Sequence, residues 1–306
     1  MIELRLSSVQ ASECDAMGHF NVRFYVARAV EGLASLRLAL GLDLESGAGN
    51  GIDLVVREHH LRFIREMRAG TPFGVRGGIV GIDGEVLKIY QEFHAVAADG
   101  ATYVAAAFLA DLRAVDRESR APARLPPALR DKVAGLAVEV PVAHAPRGLH
   151  RYPPRPTPTV AEAEALGLVH CLTTPIAVED CDARGFMRTD AYIARVWEGT
   201  PNLMAKLDGG RRASDPRIGG AALEYRLAYR KRPRHGDLIG MWSGLKNLGG
   251  KTTVWGHWVF DLASGEAVAT AETVAIRFDL ETRKAVGLTE ADQAALARHV
   301  VPGLSI

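Results

Sequence analysis

Leu223 to Arg230 reads as an alternation of apolar and polar positions, with Ala228 the one small apolar residue on the polar side. Leu223, Tyr225, Leu227 and Tyr229 take one side; Glu224, Arg226, Ala228 and Arg230 take the other. A period of two predicts a strand with one buried face. A different pattern runs from Phe24 to Leu42. There FYVARAVEGLASLRLALGL carries little that is polar beyond Arg28, Glu31, Ser35 and Arg37. A helix apolar around most of its circumference is expected to be buried. GIDGEVLKIYQEFHAV and NLGGKTTVWGHWVFDL each read as a glycine-marked turn followed by a β-rich run, and AADGATYVAAAFLADLRAVD and LASGEAVATAETVAIRFDLE as turn, strand and charged end. LPPALRDKVAGL (Leu125–Leu136) and LTEADQAALARHV (Leu288–Val300) are short helical patterns.

These elements come in the same order twice. ECDAMGHFNVRFYVARAVEGL at Glu13–Leu33 aligns without gaps to DCDARGFMRTDAYIARVWEGT at Asp180–Thr200, 167 residues on, with nine of 21 positions identical. REHHLRFIREMRAGTP (Arg57–Pro72) likewise faces LEYRLAYRKRPRHGDL (Leu223–Leu238). A repeat this long marks a duplicated domain, not a solenoid unit. Thr200-Pro201 interrupts the second helical pattern, so that helix is expected to kink or restart there. Each half reads as strand, long helix, then antiparallel strands. A sheet curled around the helix gives an α+β architecture. Edge-to-edge pairing of the two sheets is expected to cover their exposed edges. Nine of the 15 prolines lie between Pro122 and Pro158, which places a semi-rigid connection between the halves. The expected division is a domain at 1–140, a Pro-rich linker at 141–168 with a short helix at VAEAEALGL, and a domain at 169–306.

Composition narrows the classes. The chain is 48% hydrophobic and 24% charged, as globular domains are, and its net charge of +1 gives no global field to recruit nucleic acid or an anionic membrane. Cys14, Cys171 and Cys181 are too few and too scattered for a disulfide framework, and no CxxC pair or Cys/His cluster suggests zinc. MIELRLSSVQ lacks the pattern of a signal peptide and no apolar run is long enough for a membrane helix, so a cytoplasmic setting is expected.

The segment ECDAMGHFNVRFY resembles the D-x-D-x-M-G-H-x-N-x-x-Y signature of acyl-CoA thioesterases related to 4-hydroxybenzoyl-CoA thioesterase. DCDARGF resembles its D-C-D-x-x-G form, and LKNLGGKT at Leu245–Thr252 its I-G-x-K-S-like turn. The resemblance covers both halves. It implies a tandem (double) hotdog, two antiparallel sheets each wrapped around a long central helix, forming a pseudo-dimer. It also implies hydrolysis of an acyl-CoA or acyl-ACP thioester without metal or redox cofactor, and a possible homodimer of double hotdogs.

Thioester hydrolysis needs a base or nucleophile and a polarised carbonyl. By resemblance, Asp15 and Asp182 match the family's catalytic aspartate. Backbone amides at a helix start suit a developing oxyanion, and the candidates lie around Asn21–Arg23 and Arg188–Asp190, Val22 and Thr189 included. Gly18 and Gly185 allow a tight turn or close ligand approach. His19 and Asn21 complete the fuller first motif and become Phe186 and Arg188 in the second, which ranks the Asp15 site first. The competing reading for Asp15, Asp182 and Asn21 is helix capping. Glu31 and Glu198 are candidates for substrate contact or for pairing with Arg28 and Arg195. A hotdog hydratase lacks its D-x-x-x-x-H motif here, and a non-catalytic acyl-thioester sensor is compatible with the altered second motif. GAGNGID (Gly47–Asp53) reads as a mobile loop, LGGKT as a β-turn without phosphate-loop spacing, and the His59-His60 pair as strand neighbours facing opposite ways.

Overall fold

A computed structural model describes residues 1–42, 51–125, 127–207 and 217–306. Its chain divides into two units, Met1–Ala145 and Pro146–Ile306, so the Pro-rich connection is shared between them. The first four residues of the GAGNGID loop lie outside the described residues.

The first unit contains β1 (Ile2–Ser8), α1 (Val22–Leu40), β2 (Ile52–Phe63), β3 (Pro72–Asp83), β4 (Val86–Val96), β5 (Thr102–Asp116) and α2 (Pro127–Gly135). Its strands are ordered β1-β3-β4-β5-β2, all antiparallel. The second contains α3 (Val160–Ala165), β6 (Val169–Pro175), α4 (Thr189–Leu207), β7 (Ile218–Tyr229), β8 (Leu238–Leu248), β9 (Thr252–Asp261), β10 (Ala267–Asp279), β11 (Ala285–Val286) and α5 (Glu290–Ala297). Its order, β6-β8-β9-β10-β7 with β11 on β10, repeats the first. Each unit is a hotdog, a curved antiparallel sheet around one long helix.

In α1 the face made by Tyr25, Val26, Ala29, Leu33, Leu36 and Leu40 is buried. Burying each such large side chain contributes about 1.5–3 kcal/mol. The sheet covers one side of the helix, and on the other side Leu38 is 67% exposed. Gln91 of β4 reaches from the sheet to the Ala29 carbonyl, Nε2 to oxygen 2.9 Å. The identical Gly32 and Gly199 mark close approach of helix to sheet. A Cβ at Gly32 would sit 3.2 Å from Leu4 Cβ, and one at Gly199 would sit 3.3 Å from Leu172 Cβ. The second helix does not restart. α4 runs through Pro201, and the Thr200 hydroxyl bonds the Val196 carbonyl at 2.7 Å.

The alternating strand is also corrected. From Glu224 to Tyr229 both faces of β7 are buried. The cause is the chain after Pro146, which crosses the outer face. Glu224 accepts the amides of Arg147, Gly148 and Leu149 at 3.1, 2.6 and 3.3 Å. Farther along that face, Leu168, Val301 and Leu304 cover Trp242, Trp258 and Phe260. In the first unit Val138 and Val140 pack on Tyr90, Ala107 and Leu109.

Candidate functional site

In the first unit a single 3-10 turn, Ala11–Glu13, leads from β1 to the segment before α1. The segment doubles back tightly. The Asp15 amide donates to the His19 carbonyl (2.8 Å) and the Gly18 amide to the Asp15 carbonyl (2.9 Å). Gly18 takes φ +77°, a conformation glycine adopts without strain. Asp15 Oδ1 accepts the Met17 and His19 amides at 2.8 and 3.0 Å. Two bonds therefore hold one carboxylate oxygen, and the other, Oδ2, stands 4.0 Å from His19 Nδ1.

The far side of the His19 ring meets the segment between β2 and β3, which the Phe20 amide ties to the Met67 carbonyl at 2.8 Å. His19 Nε2 lies 3.0 Å from Glu66 Oε2. Asp15 and His19 are only 12% and 13% exposed at the side chain, against 39% for Glu66. The row Asp15–His19–Glu66 thus runs from a sheltered carboxylate outward. Nothing in the sequence motif names Glu66, whose only signal is its column in the internal alignment, where Arg232 stands opposite.

Asn21 is the N-cap of α1, its side-chain oxygen accepting the Arg23 amide at 2.9 Å. The Asn21 amide donates to the Glu13 carbonyl, also at 2.9 Å. Of the candidate helix-start donors this leaves the Val22 amide, which finds no acceptor among the described residues. Glu31 is exposed and held by Arg28 (2.8 Å) and Arg5 (3.1 Å). Arg28 also pairs with Glu13, a buried carboxylate the sequence reading missed. Tyr25 packs among Phe20, Phe63 and Phe93, and burial pushes its hydroxyl well above the ordinary tyrosine range.

The second unit builds the same turn. Asp182 Oδ1 accepts the Arg184 and Phe186 amides at 2.9 and 3.0 Å, and Gly185 repeats φ +77°. Arg195 pairs with buried Asp180 and, at 2.6 Å, with exposed Glu198. The Thr189 amide, matching that of Val22, also lacks an acceptor among the described residues. The side chains over the turn differ. Phe186 replaces His19, and Arg232 replaces Glu66 and bonds Asp182 Oδ2 at 2.6 Å. Burial favours the neutral Asp182 carboxyl. The two amides and the Arg232 guanidinium outweigh it and leave the pKa below the usual aspartate range. At the cap, Arg188 has no oxygen to offer the helix and instead grips Asp190 through two nitrogens, at 3.0 and 3.1 Å. No group of His, Cys, Asp and Glu suited to a metal ion occurs among the described residues, and no described helix is long and apolar enough to cross a membrane.

A family model described as the thioesterase-like superfamily matches residues 9–133 and again 176–296, so each match contains one turn. No curated protein sequence matches the chain. Among solved structures, an acyl-ACP thioesterase from Bacteroides thetaiotaomicron superposes with a TM-score of 0.64 at 11% identity, covering 89% of this chain and 96% of that one. The 12:0-ACP thioesterase from Umbellularia californica gives 0.62 at 14% identity, covering 89% and 93%. At such identities the likeness establishes the fold.

Proposed function

Since this chain belongs to the thioesterase-like superfamily, we propose that it hydrolyses acyl thioesters to the free acid and a thiol, with Asp15 as its working carboxylate. The observation that carries the assignment is the unequal treatment of the two aspartates. Asp15 keeps one oxygen turned toward a histidine that Glu66 holds from behind, whereas Asp182 has both oxygens bonded.

Glu66 holds the His19 ring through Nε2, and Nδ1 lies on the side of Asp15 Oδ2. A water held between Asp15 Oδ2 and the His19 ring is oriented for attack on the thioester carbon, and Asp15 takes its proton. The carbonyl oxygen, negative after attack, accepts from the Val22 amide at the positive end of α1. Collapse breaks the C–S bond, and the proton on Asp15 passes to the departing thiolate. Direct attack by Asp15, through an acyl-aspartyl anhydride that water then opens, uses the same groups. Acyl-CoA and acyl-ACP are both carriers for this chemistry, in a cytoplasmic setting.

The test is thiol release from short, long and aromatic acyl-CoAs and from acyl-ACP. Release that Asp15→Asn abolishes supports the reading. Acyl-CoA binding without release from any thioester overturns it in favour of a sensing module.

A further inference from the structure

Where the first unit has its acid–base row, the second gathers cations around one aromatic ring. Arg232 and Arg234 are exposed, and their guanidinium carbons lie 5.1 and 4.4 Å from the Phe186 ring centre. Asp182 anchors Arg232 at 2.6 Å. Arg184, on the turn itself, is also exposed. The replacement is paired: His19 and Glu66, in contact in one copy, correspond to Phe186 and Arg232, in contact in the other. Charge shifts with it. Residues 15–23 and 63–71 sum to +1, from Arg23, Arg65 and Arg68 against Asp15 and Glu66. Residues 182–190 and 229–237 sum to +3, from Arg184, Arg188, Arg230, Lys231, Arg232 and Arg234 against Asp182, Asp190 and Asp237.

A guanidinium lying near an aromatic face keeps its N–H edge for an oxyanion, and two of them near one ring present planar donors in a fixed arrangement. The rigid turn beneath supplies preorganisation, and α4 begins beside it with the Thr189 amide unbonded among the described residues. A carboxylate that served only as a base would gain nothing from these neighbours, whereas a phosphate would.

We propose that this face of the second unit binds a phosphate group through Arg232 and Arg234, and that the phosphate belongs to the arm carrying the thioester. The second clause rests on the hydrolase reading above; the first does not. Two carriers present the group: the nucleotide end of CoA, and the phosphopantetheine of a carrier protein. Asp182 serves here as the counter-ion that orders Arg232 until the ligand arrives.

The experiment is calorimetric titration of the full chain with adenosine 3′,5′-bisphosphate and with 4′-phosphopantetheine, adenosine serving as the phosphate-free control. Binding of the bisphosphate alone identifies the nucleotide, and binding of both identifies a generic phosphate site. Arg232→Gln with Arg234→Gln should weaken binding about tenfold or more. The double lysine variant should retain most of it. Arg283→Gln, which removes a guanidinium lying 4.8 Å from the Phe278 ring elsewhere in the unit, should change nothing. On acyl-CoA the double glutamine variant should raise KM more than it lowers kcat. Binding of neither phosphate compound, or equal binding by wild type and the double glutamine variant, overturns the site. If phosphate binds at these arginines and no thioester is cleaved, the hydrolase reading falls and the site stands. If thioesters are cleaved and neither KM nor bisphosphate affinity moves, the reverse holds.

Discussion

The two turns share a backbone and differ in chemistry. Asp15 and Asp182 each accept two amides on Oδ1, each precede a glycine at φ +77°, and each lead into a long helix. The local motif therefore specifies a shape that both copies keep. The copies part at a residue about fifty positions on, glutamate in one copy and arginine in the other. Glu66 holds a histidine, and no arginine among the described residues bonds Asp15 Oδ2, while Arg232 occupies the matching oxygen of Asp182. A carboxylate bonded at both oxygens, with its pKa lowered, is a weakened base.

The sharpest way to break this contrast is to graft the second pair onto the first copy. His19→Phe with Glu66→Arg should cost about a hundredfold or more in kcat/KM on an acyl thioester, the range for losing a general acid–base partner. Retained thermal unfolding would show that the turn survives. A rate within a few-fold of wild type would dissolve the distinction.

A second contrast lies beneath the helices. Gln91 in the first unit corresponds to His257 in the second, a buried histidine bonded to Ser243 (2.9 Å), whose pKa burial lowers from 6.5 to about 4. The unfolded chain takes up this proton more readily than the folded one, so the residue's stabilising contribution is complete above pH 6.5 and is lost as pH falls toward 4. The full difference is roughly 3 kcal/mol. Denaturant unfolding across that window should show wild type losing stability relative to His257→Gln, which copies the first unit. Parallel pH profiles would contradict it.

The smallest effect is at the caps. Asn21→Ala should lower stability by about 1 kcal/mol through loss of the bond to Arg23. Arg188→Ala removes no such cap. Equal unfolding midpoints for the Asn21 variant and wild type would show that the cap bond adds nothing.

Much of the fold was legible because it rests on short-range patterns. Duplication appears as identities at fixed spacing, strands as alternation at Leu223–Arg230, and α1 as an apolar run. What failed depended on neighbours remote in sequence. Strand β7 is buried on both faces because the chain after Pro146 donates three amides to Glu224, which alternation cannot announce. Leu38 is exposed because a sheet covers one side of a helix, whatever the composition of the other. At the site, the aspartates and glycines could be read from a motif, since they shape one continuous turn. Glu66, Arg232, and the buried Glu13 and Asp180 that pair with Arg28 and Arg195 could not, since each meets its partner only through folding.

The central claim is that one aspartate works and its twin does not, and kcat/KM for Asp15→Asn against Asp182→Asn on the same acyl thioester tests it most directly. The account predicts a loss of about a thousandfold for Asp15→Asn and at most a few-fold change for Asp182→Asn. Equal losses, or a larger loss at Asp182, would contradict it.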